Sequence, residues 1–161
     1  MSDEKHSTGR PFDVLIVEDD QVDRLLVERA FKLAGSNVRT KFREDGISAL
    51  KLLNEMDDNG NLYRPDACLC DINMPGMSGI DLLRKLKAEE TLQCIPITML
   101  SSSDDERDIR TCYQSGAASY LCKPHNYQDL CTVIDGYSKY WINTVSLPMR
   151  INLGDDEARH H

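Results

Sequence analysis

The chain has 161 residues, 40% of them hydrophobic and 29% charged, which suits one soluble domain with a full core. Asp and Glu number 27 against 19 Lys and Arg, a formal charge of −8 that argues against a nucleic-acid surface and leaves proteins, metal ions and small phosphodonors as partners. No apolar run is long enough for a membrane span, and the stretch from Met1 to Pro11 is polar, unlike a secretory leader, so a cytoplasmic protein without membrane contact is expected.

Apolar runs alternate with helix-period segments five times. The first strand is expected at roughly Asp13 to Val17, and a helix follows with Val22, Leu25, Leu26, Arg29, Ala30 and Leu33 at helical spacing, Asp20 as its cap and Gly35 at its end. A second strand spans roughly Val38 to Arg43, and Asp45 caps a helix carrying Ala49, Leu50 and Leu53. Asp57 to Arg64 is polar and reads as a long loop. The third strand is Ala67 to Cys70; after the turn Met74-Pro75-Gly76-Met77, Ser78 opens a helix with Leu82, Leu83 and Leu86 inward. The fourth strand is Ile95 to Leu100, and Asp104-Asp105-Glu106 open the fourth helix, where acids favour the positive helix start. Gly116 closes it, a short fifth strand runs from Ser119 to Cys122, and Asn126 caps a last helix reaching about Asn143.

Strands apolar almost throughout, with helices between them, mean a parallel sheet covered on both faces. Right-handed crossovers then make an α/β, three-layer sandwich. The segment after Pro148 is too short to fold alone, so a single domain over 11–148 is expected, with 1–10 and 149–161 as flexible tails. The six cysteines lie mostly within apolar runs and read as buried reduced thiols; a zinc site at Cys68 and Cys70 lacks nearby further ligands.

Chemistry in open α/β sheets collects at the carboxyl ends of the strands. Here the first strand ends in Glu18 and Asp19, the third in Asp71, the fourth in Ser101-Ser102-Ser103 and the fifth in Lys123-Pro124. Carboxylates brought together repel, and a bound cation or a shared proton relieves them. Acids, a hydroxyl and a lysine form a charge-balanced set around a divalent cation and a phosphoryl group, and Mg²⁺ takes hard oxygen ligands of this kind.

These strand ends carry motifs that resemble the receiver domain of two-component response regulators. The motifs are Ile16-Val17-Glu18-Asp19-Asp20, the run Asp71-Ile72-Asn73-Met74-Pro75-Gly76-Met77-Ser78-Gly79, Met99-Leu100-Ser101-Ser102-Ser103 and Tyr120-Leu121-Cys122-Lys123-Pro124. The resemblance implies a flavodoxin-like (βα)5 fold with strand order 2-1-3-4-5. It implies that Asp71 is the phosphoacceptor for a sensor histidine kinase. Asp19, Asp71 and the backbone carbonyl of Asn73 would hold Mg²⁺, with Glu18 acting through water. Lys123 would pair with Asp71 at rest and with the phosphoryl oxygens afterwards. Ser101 would be the switch hydroxyl and Tyr120 the switch aromatic, turning phosphorylation into a shape change on the face of the fourth helix, fifth strand and fifth helix. Asn73 and Ser103 would flank the attacking water, and a cis Lys123–Pro124 bond would aim the lysine. Apart from its own phosphorylation and dephosphorylation, no enzymatic activity is expected.

The fifth helix region carries Tyr127, Leu130, Cys131, Val133, Ile134, Tyr137, Tyr140, Trp141 and Ile142, more apolar surface than one stripe requires. That excess points to a partner face and to a homodimer through this helix or the C-terminal arm. The segment from Tyr140 to Pro148, with the long loop before Pro65-Asp66, resembles stand-alone regulators of bacterial phytochrome kinases. Two rival readings carry less of the sequence. An aspartate-nucleophile phosphatase needs a second acid two residues beyond the nucleophile, where this chain has Asn73. A scaffold that never takes phosphate has no use for the intact set of Glu18, Asp19, Asp71 and Lys123.

Overall fold

The computed structural model describes residues 9–35 and 37–149, so most of both expected tails lies outside the described residues. Its elements are β1 (Phe12–Val17), α1 (Gln21–Leu33), β2 (Val38–Arg43), α2 (Gly46–Asn54), β3 (Ala67–Cys70), α3 (Gly79–Ala88), β4 (Ile97–Ser101), α4 (Glu106–Gln114), β5 (Ser119–Cys122) and α5 (Tyr127–Ser138), followed by a π-helical turn, Lys139–Thr144. All strand pairs are parallel and the sheet order is β2-β1-β3-β4-β5. The direction of the chain reverses across the sheet between β1 and β3, which makes their carboxyl ends the switch point of the topology.

The period of two along β1 assigns its side chains to opposite layers. Leu15 and Val17 join Leu53, Leu82, Leu83, Leu86 and Cys112 under α2, α3 and α4, while Val14 and Ile16 join Val27, Phe31, Ile134 and Tyr137 under α1 and α5. Both layers are apolar, so β1 and β3 are buried on both sides and read as uninterrupted hydrophobic runs. Each fully buried leucine contributes about 1.5–3 kcal/mol to keeping the helices on the sheet.

The five helices start at the same edge of the sheet, each with a side-chain cap on an amide of its first turn: Asp20, Asp45, Ser78, Asp105 and Asn126. A cap of this kind is worth about 1 kcal/mol. Here the caps also fix the loops that carry the polar strand ends. At the other end of α1, Gly35 takes a φ of +69°, a conformation that ends helices with glycine.

Two expectations change, at β4 and at the last helix, and the expected loop gains detail. β4 begins at Ile97, because Pro96 lacks the amide that would extend the ladder inward, although Ile95 is still buried. The Asp57–Arg64 stretch is ordered by its own bonds. Asp57 Oδ1 accepts from the amides of Asn59 and Asn61, both at 2.9 Å, Met56 and Leu62 bridge, and Lys41 lies 4.3 Å over the Tyr63 ring. The last α-helix stops at Ser138. The wider π turn after it aims Trp141 into the α1–α5 layer, where Val145 and Leu147 also pack. Most of the apolar excess around α5 is therefore core: Leu130, Ile134, Tyr137 and Trp141 are buried, and Tyr140 is the large exposed side chain there.

Candidate functional site

The acids at the ends of β1 and β3 are neighbours because β1 and β3 pair in register, Val17 opposite Cys70. The ladder runs one step further, with the Asp71 amide donating to the Val17 carbonyl at 3.0 Å. Glu18 and Asp71 are buried, Asp19 is exposed, and one carboxylate oxygen from each lies within 4.8 Å of the others. Asp71 is fixed by its own chain: Oδ1 accepts from the Ile72 amide at 2.7 Å.

The return of the chain after Asp71 depends on Gly79. Its amide donates to the Ile72 carbonyl at 2.8 Å, and a Cβ on Gly79 would stand 1.9 Å from the Asp71 carbonyl oxygen. Only glycine lets α3 start this close to the backbone of the central acid. Asn73 is exposed on this loop, beside buried Ile72 and Met74.

Lys123 enters from β5. Its amide donates to the Ser101 carbonyl at 2.7 Å, continuing the β4–β5 ladder past Cys122, and this pairing aims the side chain across the carboxyl ends of the sheet. The expected cis bond is absent: among the described residues every peptide, Lys123–Pro124 included, is trans. The trans form is the favoured one for X–Pro bonds, and the extended ladder already directs the lysine. The ammonium contacts Glu18 Oε2 at 2.6 Å, Asp23 Oδ2 at 3.0 Å and Asp71 Oδ2 at 3.4 Å. Burial pushes the Glu18 carboxyl up to about 7, with the Asp71 charge adding to the rise and Lys123 opposing it. Burial alone would lower the lysine, but Glu18, Asp23 and Asp71 together hold it well above its ordinary value. Both shifts express one condition, an excess of negative charge at a water-poor site with a single ammonium as counterweight.

Beside this cluster, Ser101 is fully buried and its Oγ accepts from the Ser103 amide at 3.2 Å. Tyr120 is half-buried against the α2–α4 layer, with its hydroxyl donating to the Ser103 carbonyl at 2.7 Å. Glu18, Asp19, Asp71 and Lys123 thus meet at one point, with Ser101 and Tyr120 alongside on β4 and β5. The sequence reading gave Asp23 no place in the site. Its amide is indeed capped by Asp20, but helical side chains tilt toward the N-terminus, so the third residue after a cap leans back over the strand ends. Cys68 and Cys70 are buried thiols without a metal-binding set, and the acidic trio is the group that fits a cation among the described residues.

The three acids supply hard oxygen donors and a net negative charge, which fit a divalent cation such as those with octahedral oxygen coordination. A cleft of about 450 Å³ lies at the opposite end of the sheet, between Phe12 at the start of β1 and Trp141, Val145 and Leu147, far from this chemistry.

The family model of the response regulator receiver domain matches residues 14–135. The chain belongs to that family. Response regulator Rcp1 of Synechocystis is 32% identical over 148 residues, 92% of this chain and 99% of that protein. Among solved structures, the phosphorylated cyanobacterial phytochrome response regulator RcpA superposes with a TM-score of 0.80 at 29% identity, covering 86% of this chain and 99% of that one. The Mn²⁺-bound form of Rcp1 superposes with a TM-score of 0.78 at 31% identity, covering 86% and 100%. The molecule is thus a receiver domain of two-component signalling. Its signalling depends on phosphorylation, and its acidic trio suits a divalent cation. No helix among the described residues is long and apolar enough to cross a membrane.

Proposed function

We propose that this receiver domain takes its phosphoryl group on Asp71, in a reaction that requires Mg²⁺. The observation that carries the reading is the meeting of Glu18, Asp19 and Asp71 within 4.8 Å, with the Lys123 ammonium 3.4 Å from Asp71 Oδ2. Asp71 attacks the phosphorus of a phosphohistidine in line. The P–N bond breaks, its electron pair stays with the imidazole, and an acyl phosphate remains on Asp71. Asp19, Asp71 and the Asn73 backbone carbonyl would hold the cation, with Glu18 acting through water. When bound, Mg²⁺ neutralises charge on the transferring phosphoryl oxygens. Lys123 does the same from the protein side, passing from Asp71 to the phosphoryl group. Water then hydrolyses the acyl phosphate and returns the free carboxylate.

Ser101 and Tyr120 carry the event outward. The Ser101 hydroxyl moves to a phosphoryl oxygen, Tyr120 follows, and the face of α4, β5 and α5 changes shape, a two-state element biased by one group. Asn73 in place of an acid two residues beyond Asp71 leaves a steady phosphatase without its proton donor. The kinase is read as a bacterial phytochrome on the likeness to the cyanobacterial phytochrome response regulator RcpA, and the cytoplasm is proposed as the site of action.

Phosphate-affinity electrophoresis with acetyl phosphate and Mg²⁺ tests the nucleophile. Wild type should shift and Asp71→Asn should not, whereas a shift that survives the substitution assigns the phosphate elsewhere. Homodimerisation through α5 and the arm rests on a narrower base, the exposed Tyr140 ring stacked edge-on against Trp141 at 5.2 Å. Light scattering of wild type and Tyr140→Ala, with and without beryllofluoride, measures it, and a monomer throughout removes the dimer.

A further inference from the structure

Two arms of the chain bring oxygens to the acidic trio, and one contact links the arms. The first arm is the end of β1. The Glu18 amide donates to the Arg43 carbonyl at 3.0 Å, so Glu18, with Asp19 next to it, is pinned to the turn between β2 and α2. That turn is held firmly: Asp45 Oδ1 accepts from the Ser48 amide at 2.7 Å, and the Ser48 hydroxyl donates to the Asp45 carbonyl at 3.1 Å. The second arm is the loop after Asp71, residues 72–78. Ile72 and Met74 bury their side chains in the α2–α4 layer with Asn73 between them, and the Gly79 amide closes the loop on the Ile72 carbonyl. The arms touch at Gly46, the first residue of α2, which is buried. A Cβ on Gly46 would lie 2.8 Å from Met77 Sδ, 3.0 Å from its Cγ and 3.1 Å from its Cβ. Met77 therefore occupies space that only a bare glycine leaves free. The thioether can swing aside, but Met77 Cβ is bonded to the main chain of the loop, so a side chain at position 46 pushes on the loop itself.

We propose that Gly46 and Met77 are positioning residues that set the spacing between the two arms, and with it the preference of the site for a small divalent ion. The proposal rests on the assignment of Asp19, Asp71 and the Asn73 carbonyl to the cation. Mg²⁺ takes near-octahedral oxygens at about 2.0–2.1 Å, whereas Ca²⁺ accepts about six to eight oxygens at roughly 2.3–2.6 Å in looser geometry. A small displacement of one arm against the other therefore penalises Mg²⁺ far more than Ca²⁺. The Gly46 side of the contact is fixed by the Asp45–Ser48 bonds and by the Arg43–Glu18 ladder, so the arm that gives way is the Asp71 loop. Neither residue has a side-chain oxygen to offer the ion, and their effect reaches it only through the loop.

Calorimetric titration of Mg²⁺ and, separately, of Ca²⁺ into the metal-free chain tests the spacing, with melting curves in EDTA alongside. Gly46→Ala should weaken Mg²⁺ by roughly fivefold and Ca²⁺ by less than about twofold, because the smaller ion tolerates less displacement. Met77→Ile adds bulk at Cβ from the loop side. It should lower the ratio of Mg²⁺ to Ca²⁺ affinity in the same direction, and it carries the test if Gly46→Ala fails to fold. Met77→Ala removes two of the three atoms that the new methyl would meet. In that background, the further loss of Mg²⁺ affinity from Gly46→Ala should shrink to under about twofold, the non-additivity expected of residues in contact. A merely structural contact would lower the melting temperature and leave the ratio of the two affinities as in wild type. That result overturns the proposal, as does a Gly46→Ala loss that persists in full beside Met77→Ala. A folded wild type that binds neither ion removes the cation assignment and the spacing proposal together, whereas a wild type that binds Mg²⁺ and variants of unchanged ratio remove the spacing alone.

Discussion

Asp23 Oδ2 lies 3.0 Å from Lys123 Nζ, closer to the ammonium than Asp71 Oδ2 at 3.4 Å. The lysine is thus shared between the strand ends and the first turn of α1, and part of its charge is spent on an acid that the reaction does not use. Asp23→Asn should leave more of the positive potential for Asp71 and an incoming phosphoryl group. Because the Asp23 side chain is 40% exposed, water screens much of the effect, and a gain of about two- to threefold in the rate with acetyl phosphate at saturating Mg²⁺ is expected. Rates from phosphate-affinity gels decide this, and a slower variant would show that Asp23 instead steadies the lysine for transfer.

Lys123 and the cation compete for the same carboxylates. Lys123→Met removes the ammonium from among Glu18, Asp23 and Asp71 and leaves buried charge uncompensated, a loss that in other proteins costs 3–5 kcal/mol. In the presence of EDTA the variant should therefore melt well below wild type. Added Mg²⁺ should recover most of that difference and should bind at least about tenfold tighter than to wild type, since a nearby positive charge is gone. Melting curves with and without Mg²⁺ provide the check. A variant whose melting temperature ignores the metal would place the cation away from these acids.

The fold and the main acids were legible in the sequence for a common physical reason. A doubly covered parallel sheet needs uninterrupted apolar strands, and runs such as Val14 to Val17 and Ala67 to Cys70 end abruptly in carboxylates. Helix caps were legible too, because Asp20, Asp45, Ser78 and Asn126 act on amides three residues away. What stayed hidden depended on three-dimensional proximity. Asp23 pairs with a lysine 100 residues on, and nothing in its local pattern separates that role from an ordinary helix-start acid. Gly46 is equally inconspicuous until the Asp71 loop lays Met77 over it. The apolar surplus around Trp141 resembled a partner face because the π turn that buries it has no sequence signature.

Gly79→Ala tests how tightly the Asp71 loop is closed. The added methyl would meet the Asp71 carbonyl oxygen at 1.9 Å and the Ile72 Cα at 2.9 Å, both backbone atoms without freedom to turn aside. The loop must move, at a cost of about 1–3 kcal/mol typical of forced overpacking. Since Asp71 is held by this same segment, phosphorylation should fall by tenfold or more while the variant remains folded. Urea unfolding gives the first quantity and acetyl phosphate labelling the second. Wild-type labelling in a destabilised Gly79→Ala would mean that the loop relaxes without moving the acid.

The thiols divide by burial, and the division has a pH signature. Cys94 and Cys122 are exposed, whereas Cys68, Cys70 and Cys112 are buried. Burial pushes the Cys68 thiol up to about 12 and raises Cys70 and Cys112 as well. At pH 8 the native protein should show two fast thiols toward iodoacetamide, and the three buried ones should react only after unfolding; mass spectrometry of the labelled peptides identifies them. The same burial works on stability. A thiol whose proton is held more tightly in the fold than in the unfolded chain favours the folded state up to the ordinary thiol range, near 9. That contribution is lost as the pH climbs from about 9 toward 12, because only the unfolded chain then releases the proton readily. Tyr137, buried and raised well above its ordinary value, acts in the same direction. The melting temperature should therefore fall steeply above pH 9, and Cys68→Ala or Cys70→Ala should flatten that fall. An unchanged alkaline limb in both variants would assign the loss to Tyr137 and the lysines instead.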